Sequence, residues 1–285
     1  MRRCILRDRV SLHGRVIQKR HEDMKTIGSL NEKPLHAALK AWCLQPGDQT
    51  EVPVDGYIID IVRGDLLIEV QTRNFSAIKA KLLSLTAHHP VQVVYPIAQH
   101  KWIVKLPTDD HKNPRRRKSP KRGMLIHLFE ELVSFPELLA HPHFSLHIVA
   151  IQEEEVRRHD PRHGWRRKGW VTHERRLVQV EEEHIFTSPD DLAVLIPTHM
   201  SDAFTTADLA TALKTSRRIA QKMAYCLDRM HLITQIGKQG NARIYRRVIS
   251  LEKGGKAHGI SDAERERRDA VGKPGVSCRV QVPVG

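Results

Sequence analysis

Only four cysteines stand in 285 residues, and no two of them form a CxxC pair. Cys4, Cys43, Cys226 and Cys278 are too scattered for a zinc site or a disulfide framework, so reduced thiols are expected. Aromatic residues make up 5 % of the chain, which argues against a single-strand binder built mainly on base stacking. No apolar run approaches the ~20 residues that cross a bilayer. The opening Met1-Arg-Arg-Cys-Ile-Leu-Arg-Asp-Arg lacks the apolar core of a signal peptide. A cytoplasmic protein without a membrane partner is therefore expected. Neither a Gly-rich phosphate loop nor an HExxH spacing occurs, and there is no internal repeat. Acid is short as well: 33 Asp and Glu stand against 47 Lys and Arg, a net charge of +14. That surplus suggests a polyanionic partner, nucleic acid first, although a plain basic protein also fits.

What is present centres on Tyr57 to Gln71, two short β-type runs around Arg63-Gly64. A two-residue turn there pairs Val62 with Asp65 and Asp60 with Leu67. Alternation then puts Asp60, Leu67, Glu69 and Gln71 on one face. Tyr57, Ile59, Ile61, Leu66, Ile68 and Val70 form the other, wholly apolar face. Glu69 becomes the diagonal neighbour of Asp60, roughly 7–8 Å away at Cα. Two carboxylates held so on a rigid hairpin can bind a divalent cation through oxygen. The plain alternative is two polar residues on an exposed face. Asp55 is a rival for Asp60, on the opposite face unless Gly56 makes a bulge.

This pattern resembles the PD-(D/E)xK nuclease superfamily, over roughly residues 28–100. Asp60 matches the Asp and Glu69 the Glu of its hairpin, while Gln71 stands where Lys is usual. Glu32, in Leu-Asn-Glu-Lys-Pro-Leu-His, sits where many members carry a helical Glu. The resemblance implies an αβββαβ core of restriction-endonuclease type and Mg²⁺ or Mn²⁺ held by Asp60 and Glu69. Glu32 and Gln71 complete the implied catalytic set. Arg73, Lys79 or Lys81 are candidates for the charge that Gln71 lacks.

The surrounding elements follow from periodicity. Residues 1–27 read as a disordered basic N-terminus, with Met24 a candidate start. Leu35, Ala38, Leu39 and Trp42 mark a helix over 34–43. A strand is expected over Thr50–Val54, a helix over Phe75–Ala87 and a buried strand over Val91–Ile97, completing a core over 28–110. Residues 111–123, with no acid after His111 and two prolines, read as a basic linker. An α+β extension spans 124–187. It has a helical stripe over Leu125–Val133, a strand over His143–Gln152 that Leu177–Val180 can pair with, and a long exposed hairpin or loop over Arg157–Arg176.

Over 188–250 the pattern gives a short helix at Asp190–Leu195 and a second helix capped by Thr205 with Asp208. A third helix, Arg217–Met230, is capped by Ser216, and a hairpin with a basic Gly-rich tip follows. This order resembles a winged helix-turn-helix domain. The resemblance implies duplex DNA as partner, with Arg217, Arg218, Gln221 and Lys222 at base edges and Lys238 and Arg243 on the wing. Residues 251–285 read as a disordered tail. The combined expectation is an α/β DNA-binding protein with a metal-dependent phosphodiesterase core, compatible with a homodimer. The alternative is a non-catalytic transcriptional regulator on a degenerate nuclease fold.

Overall fold

Leu35 and Leu39, one helical turn apart, are what the first helix buries. The computed structural model describes residues 33–108, 112–163 and 165–248. In it α1 (Pro34–Cys43) starts with its proline in the first turn, where a missing N–H is harmless. Both leucines are fully buried, each adding about 1.5–3 kcal/mol of transfer free energy.

Three antiparallel strands follow: β1 (Gln49–Val54), β2 (Tyr57–Arg63) and β3 (Leu66–Val70). A short 3₁₀ turn (Phe75–Ile78) and α2 (Lys79–Thr86) then cross over to β4 (Val91–Lys105), which runs parallel to β3. Next come β5 (Arg115–Lys118), α3 (Phe129–Leu132), β6 (Phe144–His159) and β7 (Trp170–Phe186). The sheet order is β1-β2-β3-β4-β6-β7, with β5 on the free side of β4 beyond the reach of β3. The fold is thus mixed α/β with one large mixed sheet.

Several expectations are corrected. Arg63 pairs with Leu66 and Val62 with Leu67, so the turn is Gly64-Asp65. Gly64 has φ +56°, suited to the first central position of a tight hairpin turn. The register thus differs by two residues from the expected one and brings Glu69 level with Asp60, but the face expected to be shared by them is not kept: Asp60 turns to His36 on α1 and Glu69 to Lys81 on α2. The expected single apolar face does not exist. Ile59 and Leu67 join a cluster under α2, whereas Ile61, Ile68 and Val70 join another with Leu35 and Leu39. Between Thr50↔Ile61 and Val52↔Ile59, Glu51 is left-handed at φ 55°, and there the alternation of β2 breaks. The basic linker expected over 111–123 is instead partly a strand: β5 pairs with Trp102–Lys105. The strands expected over 91–97 and 143–152 run on to Lys105 and His159.

At the bulge between Ala98 and His100 the chain after β5 comes close. Gly123 donates its N–H to Ala98 O at 2.8 Å, and a Cβ there would stand 2.6 Å from that oxygen. Only glycine fits this approach.

The last stretch holds a 3₁₀ turn (Pro189–Leu195), β8 (Ala203–Thr205), α4 (Thr206–Ala212), α5 (Arg217–Arg229), β9 (Ile233–Gln239) and β10 (Ala242–Arg247). Thr205 and Asp208 form the expected capping box, and Ser216 Oγ accepts from Ile219 N. The three strands form their own sheet, ordered β8-β10-β9. These elements nevertheless share the larger apolar cluster with residues 125–140 and the sheet. Lys222 donates to Glu130 O and Arg229 pairs with Glu137 across the same contact.

Candidate functional site

Asp60 sits where the paired part of β2 and β3 ends. Its Oδ2 accepts the Val70 backbone N–H at 2.8 Å, taking the place of a ladder bond. The same oxygen lies 3.2 Å from His36 Nε2 on α1. Burial by itself raises the Asp60 pKa, but His36, the Val70 N–H and Lys40 outweigh it and hold the carboxyl below its ordinary value.

Glu69 points to the other side of the sheet, towards α2. Lys81 Nζ reaches its Oε1 at 2.5 Å and Ile58 O at 2.6 Å, tying both strands to the crossover helix. Glu69 is 7 % exposed. Burial first, and the charge of Asp60 second, push its pKa up to about 7; Lys81 and the Asp60 backbone N–H pull against them. A buried acid strained by a second carboxylate, beside a half-buried lysine, is the kind of setting in which active sites are built.

Gln71 leaves the end of β3, and its Nε2 donates to Asn74 O at 3.4 Å. Glu32 lies outside the described residues. Asp55 stands apart, paired with His89 at 2.9 Å. Sequence reasoning missed His36, although its place one turn after Glu32 and one before Lys40 on α1 was a usable signal. Lys81 was one of several candidates, and only the packing of α2 singles it out.

Among the described residues no group of three or more His, Cys, Asp or Glu is assembled. A magnesium ion needs fewer, because it commonly keeps several waters and takes one or two carboxylates plus substrate phosphate. Asp60 and Glu69 supply two such carboxylates, turned to α1 and to α2 respectively, so one ion would need them to swing to a common side. Each now holds a cationic or N–H partner that a metal would have to displace or share.

The C-terminal elements present a second set. Arg217, Arg218 and Gln221 are exposed at the start of α5, with Tyr225 one turn on. Lys222 is turned to α3 by its bond to Glu130 O at 2.9 Å, away from that stripe. Lys238 and Arg243 are directly opposite each other on β9 and β10, both exposed. Two cations in one cross-strand pair repel, so this tip is suited to an anion. Cys43 and Cys226 are free thiols whose pKa burial pushes up to about 12, so neither is a ready nucleophile.

The family model "Domain of unknown function (DUF8091)" matches residues 33–187. A Treponema pallidum (strain Nichols) protein described as "Uncharacterized protein" is 33% identical over 224 residues, 78% of this chain and 88% of the relative. No solved structure matches. The chain belongs to the DUF8091 family, whose matched span runs from α1 to the end of β7 and so contains Asp60, Glu69, Gln71 and Lys81.

Proposed function

We propose that this member of the DUF8091 family is a DNA-binding protein whose α/β core is a metal-dependent phosphodiesterase of PD-(D/E)xK type. One observation carries the reading. The order α1-β1-β2-β3-α2-β4, with an antiparallel β1-β2-β3 and a parallel β3-β4, brings Asp60 and Glu69 level at the parting of β2 and β3. That is the element order the superfamily resemblance implies.

Asp60 and Glu69 are the residues that would hold Mg²⁺ or Mn²⁺. When bound, the ion polarises a phosphate and lowers the pKa of a water. The chain's own groups supply the rest. Lys81 brings positive charge to Glu69, so the charge absent at Gln71 comes from α2 instead. Gln71 orients water or phosphate oxygen through its amide. His36 fixes Asp60 from α1. Against burial, His36 first, and the Val70 N–H after it, hold the pKa of that carboxylate below its ordinary value.

The C-terminal part supports DNA as the partner. Its short strand, two helices and hairpin, with sheet order β8-β10-β9, support the winged-helix reading, a 3₁₀ turn standing where the first helix is expected. Arg217, Arg218 and Gln221 lie on the open side of α5, and Lys238 and Arg243 are on the wing.

The test is plasmid cleavage with Mg²⁺ or Mn²⁺ by the full chain beside Glu69→Gln. Nicking by the wild type and none by the variant supports the reading. Equal cleavage by both overturns it. A wild type that binds DNA and cuts none with either metal selects the alternative, a non-catalytic DNA-binding regulator.

A further inference from the structure

We infer that the far end of β4, together with β5 and the β6–β7 tip, forms a second, sequence-independent cleft for the phosphodiester backbone of nucleic acid. This rests on the nucleic-acid reading above but not on cleavage. Val93 is the Cα partner of Glu69, and Lys105 closes the same strand. At ~3.3 Å per residue the two places are roughly 35–40 Å apart.

The residues there are cationic, and they are held. Arg115, Arg116, Arg117 and Lys118 make up the whole of β5, and all are exposed. Arg116 lies over the ring of Trp102 at 3.8 Å, and Lys105 over Trp170 at 4.2 Å. The aromatic faces hold both charged heads in place by cation–π contact. A cleft of about 260 Å³ opens between Lys105, Thr108, Asn113, Arg115, His159 and Trp170. A second hollow of about 420 Å³ adjoins it through Lys105 and Arg115 and reaches Arg117.

The nearby acids are already taken. Glu153 is fully buried between Lys101 and Arg175, each at 2.8 Å or closer. Glu155 is held by Arg157, Arg167 and Thr172. Glu154 takes Arg116 at 2.7 Å. Lys105, Arg115 and Arg117 have no acidic partner among the described residues. Burial and then the charges of Arg117, Arg157, Arg115 and Lys168 push the Lys105 pKa down. A concave site that crowds cations without counter-charge is stabilised by an anion. Its extension along a strand, beside two Trp rings, favours a chain of phosphates over a single one. The aromatic rings are already covered by cations, so bases are not read here.

The experiment uses the full chain with Arg115→Gln/Arg117→Gln, exposed positions whose replacement leaves the core intact. Fluorescence anisotropy with a labelled 20-nucleotide single strand, and with the same sequence as duplex, is read across a salt series. Each lost phosphate contact should reduce the slope of log affinity against log salt by ~0.9 on duplex and ~0.7 on single strand. The expected result is therefore a slope smaller by about 1.8 and 1.4, with at least a tenfold loss of affinity at low salt. Arg115→Lys/Arg117→Lys should restore both. If the wild type binds and the Gln pair changes neither affinity nor slope, while Lys238→Gln/Arg243→Gln does, the cleft inference fails and the nucleic-acid reading survives. If the wild type binds neither oligonucleotide at low salt, both fail. If the Gln pair instead abolishes binding only to anionic lipid vesicles or to free triphosphate, the cleft serves another polyanion and the inference is overturned.

Discussion

The side chain of Asp60 accepts the backbone N–H of Val70 at 2.8 Å, at the end of the paired stretch of β2 and β3. One carboxylate thereby does two things: it closes the gap in the ladder and stands level with Glu69. The two roles are separable. Asp60→Asn keeps an oxygen acceptor for Val70 and removes the charge. Asp60→Ala removes both and leaves a buried N–H unsatisfied, at a cost of about 1–3 kcal/mol. Cleavage should vanish in both variants, while denaturant melts should show clear destabilisation in Asp60→Ala alone. Equal stability of the two would mean that the Val70 bond contributes nothing.

Glu69 gives the fold a pH dependence whose sign can be worked out. Its folded pKa, about 7, lies above the ordinary 4.5, so the folded state holds the proton more tightly. Through this group stability is greatest below about 4.5 and declines as pH rises to about 7. The decline is on the order of 3 kcal/mol at most. Glu69→Gln should therefore have a flatter stability curve between those pH values than the wild type, in chelator. Adding Mg²⁺ should stabilise the wild type more at pH 8 than at pH 5.5, because the ion prefers the carboxylate. Parallel curves, with and without metal, would remove Glu69 from the metal site.

Lys81 is expected to matter more than Gln71. Lys81→Met strips the positive charge from Glu69 and should lower the cleavage rate at least tenfold, with Kd for DNA changed less than twofold. Breaking so buried a pair also destabilises by about 3–5 kcal/mol. The companion Gln71→Lys should change the rate little, since the charge is already present. A large gain from Gln71→Lys would mean that Lys81 serves the fold alone.

On the wing, Lys238→Gln/Arg243→Gln should weaken binding to all duplexes alike and flatten the salt slope by about 1.8. Arg218→Ala or Gln221→Ala should instead alter preference among sequences if α5 reads bases. Competition with unrelated duplexes distinguishes the two.

A fragment of residues 188–248 should fold poorly by itself. Met223, Cys226 and Leu227 are fully buried in the cluster that also holds Phe129, Leu132 and Leu139. Extending the fragment to include residues 124–140 does not supply the sheet on which they rest, so the full chain is the form expected to bind DNA tightly. Thermal melts by circular dichroism check this; a cooperative transition for 188–248 at the wild-type temperature would refute it.

Elements whose signals are local were legible in the chain before it folded. Leu35 and Leu39 announce α1, the Thr205–Asp208 box starts α4, and Ser216 starts α5. Alternating and continuous apolar runs announce β2, β3 and β4. Asp60 and Glu69 were legible because two acids in otherwise apolar strands need partners. Tertiary structure decided what depends on residues distant in the chain. The register of β2 and β3 moved by two because Gly64, rather than Arg63, takes the left-handed position that opens the turn. Arg115–Lys118 became a strand because the end of β4 outruns β3 and offers a free edge, which overrides the solvated-linker composition. Lys81 was chosen over Lys79 and Arg73 by the way Leu82 and Leu85 seat α2 on the sheet. Charge composition pointed to an anionic partner, but only packing showed which cations are consumed by Glu153, Glu154 and Glu155 and which stay open. Ion pairing follows distance in space, and the chain order carries no record of it.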